Sequence, residues 1–317
     1  MENNCKNLEC QRKAAKIFIE TIGDKLITKP FKSGETHWPS PESLKNKIII
    51  KGRVLPEKKI DETFEELEKR VELSRELSEL VFYGRSKKLN TLQTVDWSYN
   101  EMCSLEEGTS LKFITNKLLY RRLTANYMVK IYPMGLRVGS TNYDPLPHWH
   151  CGAQMVTFNY QHNTSKYLLY EAMFKNNGSC GYILKPNYLL KEGIDFLQRK
   201  EKIYLKITVL CALHLPTQEN SLNPYVKIKK YCPKKSPTGN SFKTSIVKKN
   251  GLNPEWNESH IFEFPKAYSD LTFFRIKVGN QLNFAKHSLI GEIMIPYNII
   301  LHGKFFYFYF YHLFFKS

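Results

Sequence analysis

The chain has 317 residues, 42% of them hydrophobic, which is enough for one large or two medium domains with their own cores, so disorder is not the default. Lys and Arg number 47 against 30 Asp and Glu, a formal net charge of +17, and this points to an anionic partner such as a phospholipid surface or a nucleic acid. The seven cysteines show no Cys-x-x-Cys pair and no regular spacing, a pattern that favours reduced thiols in the cytosol over a disulfide framework or a zinc site.

In chain order, "MENNCKNLECQRK" lacks the apolar core of a secretory signal. Ala14, Ile17, Phe18 and Ile22 fall near helical spacing and predict a helix from about Gln11 to Thr21, with Gly23 as its stop. "WPSPESL" then breaks regular structure. "KNKIIIKGR" reads as a short strand, apolar on both faces and therefore suited to a buried parallel sheet. From Leu55 to Leu80 the chain is strongly charged, with Glu65–Lys69 and Glu66–Arg70 at i,i+4 and only a thin apolar stripe of Phe64, Leu67 and Val71. That pattern predicts a solvated connecting helix.

From Val81 to about Asn187, strands such as "MVKIY" and "AQMVTFNY" alternate with helix-like segments such as "GTSLKFITNKLLYRRL", the pattern of an α/β sheet. After Arg199 the rhythm changes to short strands and turns, as in an all-β sandwich, and a boundary is expected near Leu197 to Lys202. The aromatic run Phe305 to Phe315 is too short to span a bilayer as a helix and reads as a strand or an unpacked tail. In "KIYPMGLRVGSTNYDP" a cation and a tyrosine end a strand, and a loop rich in Gly, Ser, Asn and Pro follows at once. Loops of that kind on a rigid sheet are where binding groups sit.

"KIYPMGLRVGSTNYDPLPHWHCGAQMVTFNYQ" followed by "MFKNNGSCGYILKP" closely resembles the Y box of eukaryotic phosphoinositide-specific phospholipase C. "GDKLITKPF" with "PSPESLKNKIIIKGR" is similar to the end of that family's X box, and "NPYVKIK" with "GLNPEWNE" resembles its C2 domain. The resemblance implies an α/β plus all-β chain, the second half of a phospholipase C-type TIM barrel followed by a C2 β-sandwich. Residues 1–53 would be the end of the X box, 54–80 a charged linker, 81–192 the Y box and 200–317 the C2 domain, its last strand atypical. The short linker and a C2 segment without acidic loops are similar to the zeta class.

The resemblance places Lys51, Arg53, Ser104, Lys130 and Tyr132 at the inositol phosphate pocket, on the C-terminal rim of the barrel. The chemistry agrees, since a phosphorylated ring needs cations and hydroxyl donors at fixed positions and a flat ring to pack against. A one-residue shift would put Cys103 where Ser104 stands. Leu111 and Leu136 fall where the family carries an apolar rim that enters the membrane. The family's reaction uses two histidines and calcium to drive attack of the inositol 2-hydroxyl on the phosphodiester. Of those groups only Glu2 matches, as a single calcium ligand, and calcium takes six to eight oxygens. His148 and His150 read as ordinary surface or satisfied histidines rather than metal ligands.

In the C2 segment, Asn223, Asn280, Leu282 and Ser288 stand where calcium-dependent members supply aspartates, so calcium affinity there should be very low. The cations Lys227, Lys229, Lys230, Lys234, Lys235, Lys243, Lys248 and Lys249 are then candidates for contact with anionic lipid. The resemblance implies a cytoplasmic, peripheral membrane monomer that hydrolyses phosphatidylinositol 4,5-bisphosphate to inositol 1,4,5-trisphosphate and diacylglycerol in signalling. These residues are expected to be a fragment of such an enzyme, inactive alone for want of the histidines. The alternative is a non-catalytic phosphoinositide-binding scaffold. Nucleic-acid binding is disfavoured because no motif accompanies the charge.

Overall fold

The structure is a computed structural model that describes residues 4–162, 164–190, 201–216, 222–234, 239–283 and 286–300. Two compact units form, one from the residues up to 135 together with 151–157, the other from 136–150 and the residues from 158 onward. The expected boundary near Leu197 lies largely outside the described residues, as does the aromatic run Phe305 to Phe315.

The first unit is built on parallel strands. β1 (Arg85–Ser86), β2 (Glu101–Glu106), β3 (Met128–Tyr132) and β4 (Met155–Val156) lie side by side in sequence order and all run the same way. Parallel bridges from Gly52 to Arg85 and from Leu26 to Ile48 continue the sheet through two earlier segments. Parallel neighbours require long crossovers, and these contain α4 (Glu107–Ile114) with α5 (Lys117–Asn126) between β2 and β3. This is the parallel β/α arrangement expected from the sequence.

The N-terminal helix α1 (Leu8–Ile22) is longer than the predicted span because Asn7 caps it, its side chain accepting from the Cys10 N–H at 2.9 Å. Ala15 of α1 packs with Ile50, Leu73, Leu77, Leu80 and Val81 in one buried cluster. The charged stretch is therefore not a solvated connecting helix. It forms α2 (Phe64–Val71) and α3 (Arg75–Glu79), separated by Glu72 at φ 55°, and Leu67, Leu73, Leu77 and Leu80 are all buried. The Glu65–Lys69 pair forms at 2.8 Å, but Glu66 closes a capping box with Thr63, and Arg70 pairs with Glu62 at 2.7 Å instead. Buried Gln11 ties the two regions: its Nε2 donates to the carbonyls of Cys5 and Glu72, and its Oε1 accepts from the Ser74 N–H.

The second unit contains the sandwich. β6 (Pro224–Tyr231), β7 (Ser241–Lys243), β9 (Phe273–Gln281) and β10 (His287–Pro296) form an antiparallel sheet in the order β10-β9-β6-β7. β5 (Lys202–Cys211) pairs antiparallel with β8 (Glu255–Pro265). Leu205, Val226, Ile228, Phe262, Phe264 and Phe274 fill the core. Lys230 does not join the basic surface expected of it. It is 2% exposed, its Nζ donates to the Glu263 carbonyl, and burial lowers its pKa. On β6, Lys227 and Lys229 point outward, so the pleat turns Lys230 inward.

Helices α6 (Leu146–His150) and α7 (Ser165–Phe174) belong to this unit. Trp149 lies 6.3 Å from Phe273 and His150 lies 4.7 Å from Tyr268, ring to ring. His148 and His150 are thus buried, not surface, histidines. Burial lowers the His148 pKa to about 4, with Asp144 opposing the shift.

Two outcomes are expected. Gln11→Ala leaves buried backbone groups unpaired and should destabilise the chain by about 2–3 kcal/mol in urea denaturation; a loss under about 0.5 kcal/mol would show the tie is dispensable. His148 titrates below the usual histidine value of about 6.5 when folded, so its contribution is complete above about pH 6.5 and is lost as pH falls toward 4. A His148→Asn variant should therefore lose less stability between pH 7 and pH 4.5 than the wild type, by about 2 kcal/mol.

Candidate functional site

The register of the parallel ladder decides which side chains meet. Ser104 pairs with Lys130, Glu106 with Tyr132 and Met102 with Met128, and alternation along a strand puts these six on one face. Cys103, Leu105, Val129 and Ile131 occupy the other face, all buried, and α4 packs there on β2 and β3. Ser104 stands beside Lys130, while Cys103 lies on the opposite, buried face, where burial pushes its thiol up to about 12.

The same bookkeeping of faces extends toward the N-terminal side of the sheet. Gly52 bridges Arg85, and Ser86 pairs with Met102, so Lys51, Arg53 and Ser86 share the face of Ser104 and Lys130. Lys51 Nζ donates to Ser86 Oγ at 3.3 Å. Gly84 lies beneath the lysine stem at φ 77°, and a Cβ on it would meet Lys51 Cβ and Cγ at 3.3 Å. The structure thus brings Lys51, Arg53, Ser104, Lys130 and Tyr132 to one face of one sheet.

Ser104 Oγ is buried and has no hydrogen-bond partner among the described residues. A buried hydroxyl left unpaired is costly, and it is the kind of group a ligand would satisfy. Lys130 is half-buried and Tyr132 is 40% exposed. Neither Arg53 nor Lys130 pairs with a carboxylate among the described residues. Glu106 is the one acidic side chain on the described strands of this face.

Gln154 fixes where β3 begins. Its Oε1 accepts from the Val129 N–H at 3.1 Å, and its Nε2 donates to the carbonyls of Thr124 at 2.7 Å and Tyr127 at 3.0 Å. Thr157 donates through both its N–H and its hydroxyl to the Ile131 carbonyl. In the loop after β3, Gly139 and Ser140 both have positive φ, the sharp turn anticipated from the sequence. Asn142 and Asn159 then lock together, Asn142 Nδ2 donating to the Asn159 carbonyl at 2.9 Å and the Asn159 N–H to Asn142 Oδ1 at 2.7 Å.

Leu111 on α4 is 46% exposed and Leu136 is 86% exposed; neither is a core residue. No helix among the described residues is long and apolar enough to cross a membrane. Glu2 lies outside the described residues. The described residues do not fit a calcium ion, because the sheet face carries one carboxylate and a hard cation takes many oxygens. The sandwich loops do not fit one either. Asn280 Oδ1 accepts from the Asn223 N–H at 2.8 Å, Asn223 Oδ1 accepts from the Lys249 N–H at 3.0 Å, and Leu282 offers no side-chain oxygen.

Sequence reasoning missed Ser86 and Gly84, which hold Lys51, and Gln154, which sets β3. The signal was present in part: in "LVFYGRS" a glycine and a hydroxyl follow an apolar run.

Residues 77–188 match the family model described as the Y domain of phosphatidylinositol-specific phospholipase C, residues 1–54 match the X domain of the same family, and residues 203–306 match the C2 domain. The human 1-phosphatidylinositol 4,5-bisphosphate phosphodiesterase delta-1 is 29% identical over 96% of this chain and 45% of its own length. The mouse inactive phospholipase C-like protein 1 is 28% identical over 95% of this chain and 30% of its own length. The crystal structure of S. officinalis PLC21 superposes with a TM-score of 0.77 at 26% identity, covering 94% of this chain and 40% of that one. The chain thus spans less than half the length of these relatives.

Removing the unpaired hydroxyl should help the fold. Ser104→Ala is expected to leave stability unchanged or raise it by about 1 kcal/mol in urea denaturation; a loss of more than about 1 kcal/mol would mean that Oγ already has a partner.

Proposed function

The chain belongs to the phosphatidylinositol-specific phospholipase C family, and we propose that its sheet face holds the phosphorylated inositol headgroup of a membrane phosphoinositide. The observation that carries this reading is the buried, unpaired Ser104 Oγ directly beside Lys130. Lys51, Arg53 and Lys130 offer three cations to phosphate oxygens, Ser104 a hydroxyl donor, and the half-exposed Tyr132 a flat surface for the ring. The proposed substrate is phosphatidylinositol 4,5-bisphosphate, and the proposed reaction of the family site is its hydrolysis to inositol 1,4,5-trisphosphate and diacylglycerol.

That reaction needs a base for the 2-hydroxyl and a group that stabilises charge in the transition state. The described strands of this face carry no histidine and one carboxylate, Glu106. The role proposed for these residues is therefore to bind and orient the headgroup, with cleavage drawing on acid–base groups beyond this face. A non-catalytic phosphoinositide-binding role rests on the same observation, and the 28% identity to an inactive phospholipase C-like protein supports it as well as the 29% identity to delta-1 supports the enzyme.

Membrane attraction is proposed to be electrostatic, peripheral and at the cytoplasmic surface. On the sandwich, Lys243 pairs with Lys227 and Lys227 with Lys277 across β7, β6 and β9, so like charges line up in a row. Lys227, Lys229, Lys243, Lys248 and Lys249 are exposed, and each is worth about 1 kcal/mol near an anionic surface. Leu111 and Leu136 add exposed apolar side chains for the lipid interface.

Liposome sedimentation tests both parts. The purified chain should bind vesicles carrying phosphatidylinositol 4,5-bisphosphate with or without chelator, and Lys130→Met should weaken binding about tenfold. Raising salt from about 0.1 to 0.5 M should weaken it further as screening shortens the range of attraction. Inositol trisphosphate should not be released. Binding that vanishes with chelator, or calcium-dependent release of inositol trisphosphate, would contradict the proposal.

A further inference from the structure

The end of β1 carries two adjacent lysines, and the pleat sends them to opposite faces. Lys87 follows Arg85 in alternation, and Arg85 pairs with Glu101, so both Lys87 and Glu101 have the parity of buried Cys103 and Leu105. The side chains agree: Lys87 Nζ and Glu101 Oε1 form an ion pair at 3.0 Å. Leu89, next in the same alternation, is buried at 8% exposure. The Lys87 charge is thus already neutralised away from the headgroup face.

Lys88 has the other parity. Ser86 pairs with Met102, a pairing closed by the Lys87 N–H donating to the Met102 carbonyl at 2.8 Å, and the ladder ends there. Lys88 follows two residues beyond Ser86, whose Oγ accepts from Lys51 Nζ, and alternation gives it the parity of Ser86, on the face that Lys51, Ser104 and Lys130 share. Lys88 is exposed, and no carboxylate pairs with it among the described residues.

We propose that Lys88 is a specificity-determining residue of this face, a fourth cation that contacts a second or third phosphate of a multiply phosphorylated inositol. The inference rests on the headgroup reading above. A monophosphate can be held by Lys130 and Ser104 alone, but further phosphates add negative charge faster than three cations offset by Glu106 can match it. Lys88 supplies the additional charge just past the end of β1, on the face of Lys51 and the unpaired Ser104 hydroxyl.

The test is calorimetric titration of the full 317-residue chain with inositol 1-phosphate and with inositol 1,4,5-trisphosphate. Lys88→Gln should weaken the trisphosphate about tenfold and the monophosphate less than about twofold. Lys88→Arg should restore affinity for the trisphosphate, and Lys87→Gln should change neither ligand. Because Lys88 is exposed, the melting temperatures of the two Lys88 variants should match the wild type, which separates binding from folding. If Lys88→Gln leaves trisphosphate affinity unchanged while Lys130→Gln weakens it, the inference about Lys88 is wrong and the headgroup reading stands. If the wild type binds neither ligand, both are wrong.

Discussion

The pairing of β2 with β3 is the constraint on which the site depends. In a parallel ladder a slip of one residue exchanges the two faces, so the partnership of Ser104 with Lys130 is what sends polar side chains to one side and Cys103, Leu105, Val129 and Ile131 to the other. Burial of those four apolar side chains is worth several kcal/mol, and a slip would forfeit it while burying Lys130. The Gln154 side chain reinforces the register, since it binds the backbone at Val129, Thr124 and Tyr127 together. The geometry of the polar face is therefore a consequence of how the apolar face packs.

Some of this was legible in the sequence. The change from β/α alternation to short antiparallel strands marks two kinds of architecture, and strand-end cations followed by a turn-rich loop mark the rim. What escaped reading was tertiary. The Glu- and Lys-rich helices look solvated because their apolar stripe is thin, yet Leu67, Leu77 and Leu80 are buried, the last two against Ala15 and Ile50 from distant segments. Glu66 was assigned to Arg70 by spacing alone, whereas the backbone N–H of Thr63 competes for it and wins. Lys230 sits in a lysine run that reads as a basic surface, although the alternation of Lys227 and Lys229 would have sent it inward.

The two asparagines of the sandwich loops are satisfied by internal hydrogen bonds. Asn223 and Asn280 spend their side-chain oxygens on backbone N–H groups of neighbouring loop residues, holding the loops by neutral hydrogen bonds where a carboxylate cluster would need a cation. Basic charge in the second unit is concentrated instead on the open face of β6 and β7. In both units, then, cations are held at fixed ladder positions.

The account's central claim is that phosphate oxygens complete the hydrogen bonding of the β2–β3 face. A crystal structure of the chain with inositol 1,4,5-trisphosphate tests it most directly. The account predicts a phosphate oxygen within about 3 Å of both Ser104 Oγ and Lys130 Nζ; a ligand held only by the sandwich lysines, with Ser104 Oγ still unpaired, would contradict it.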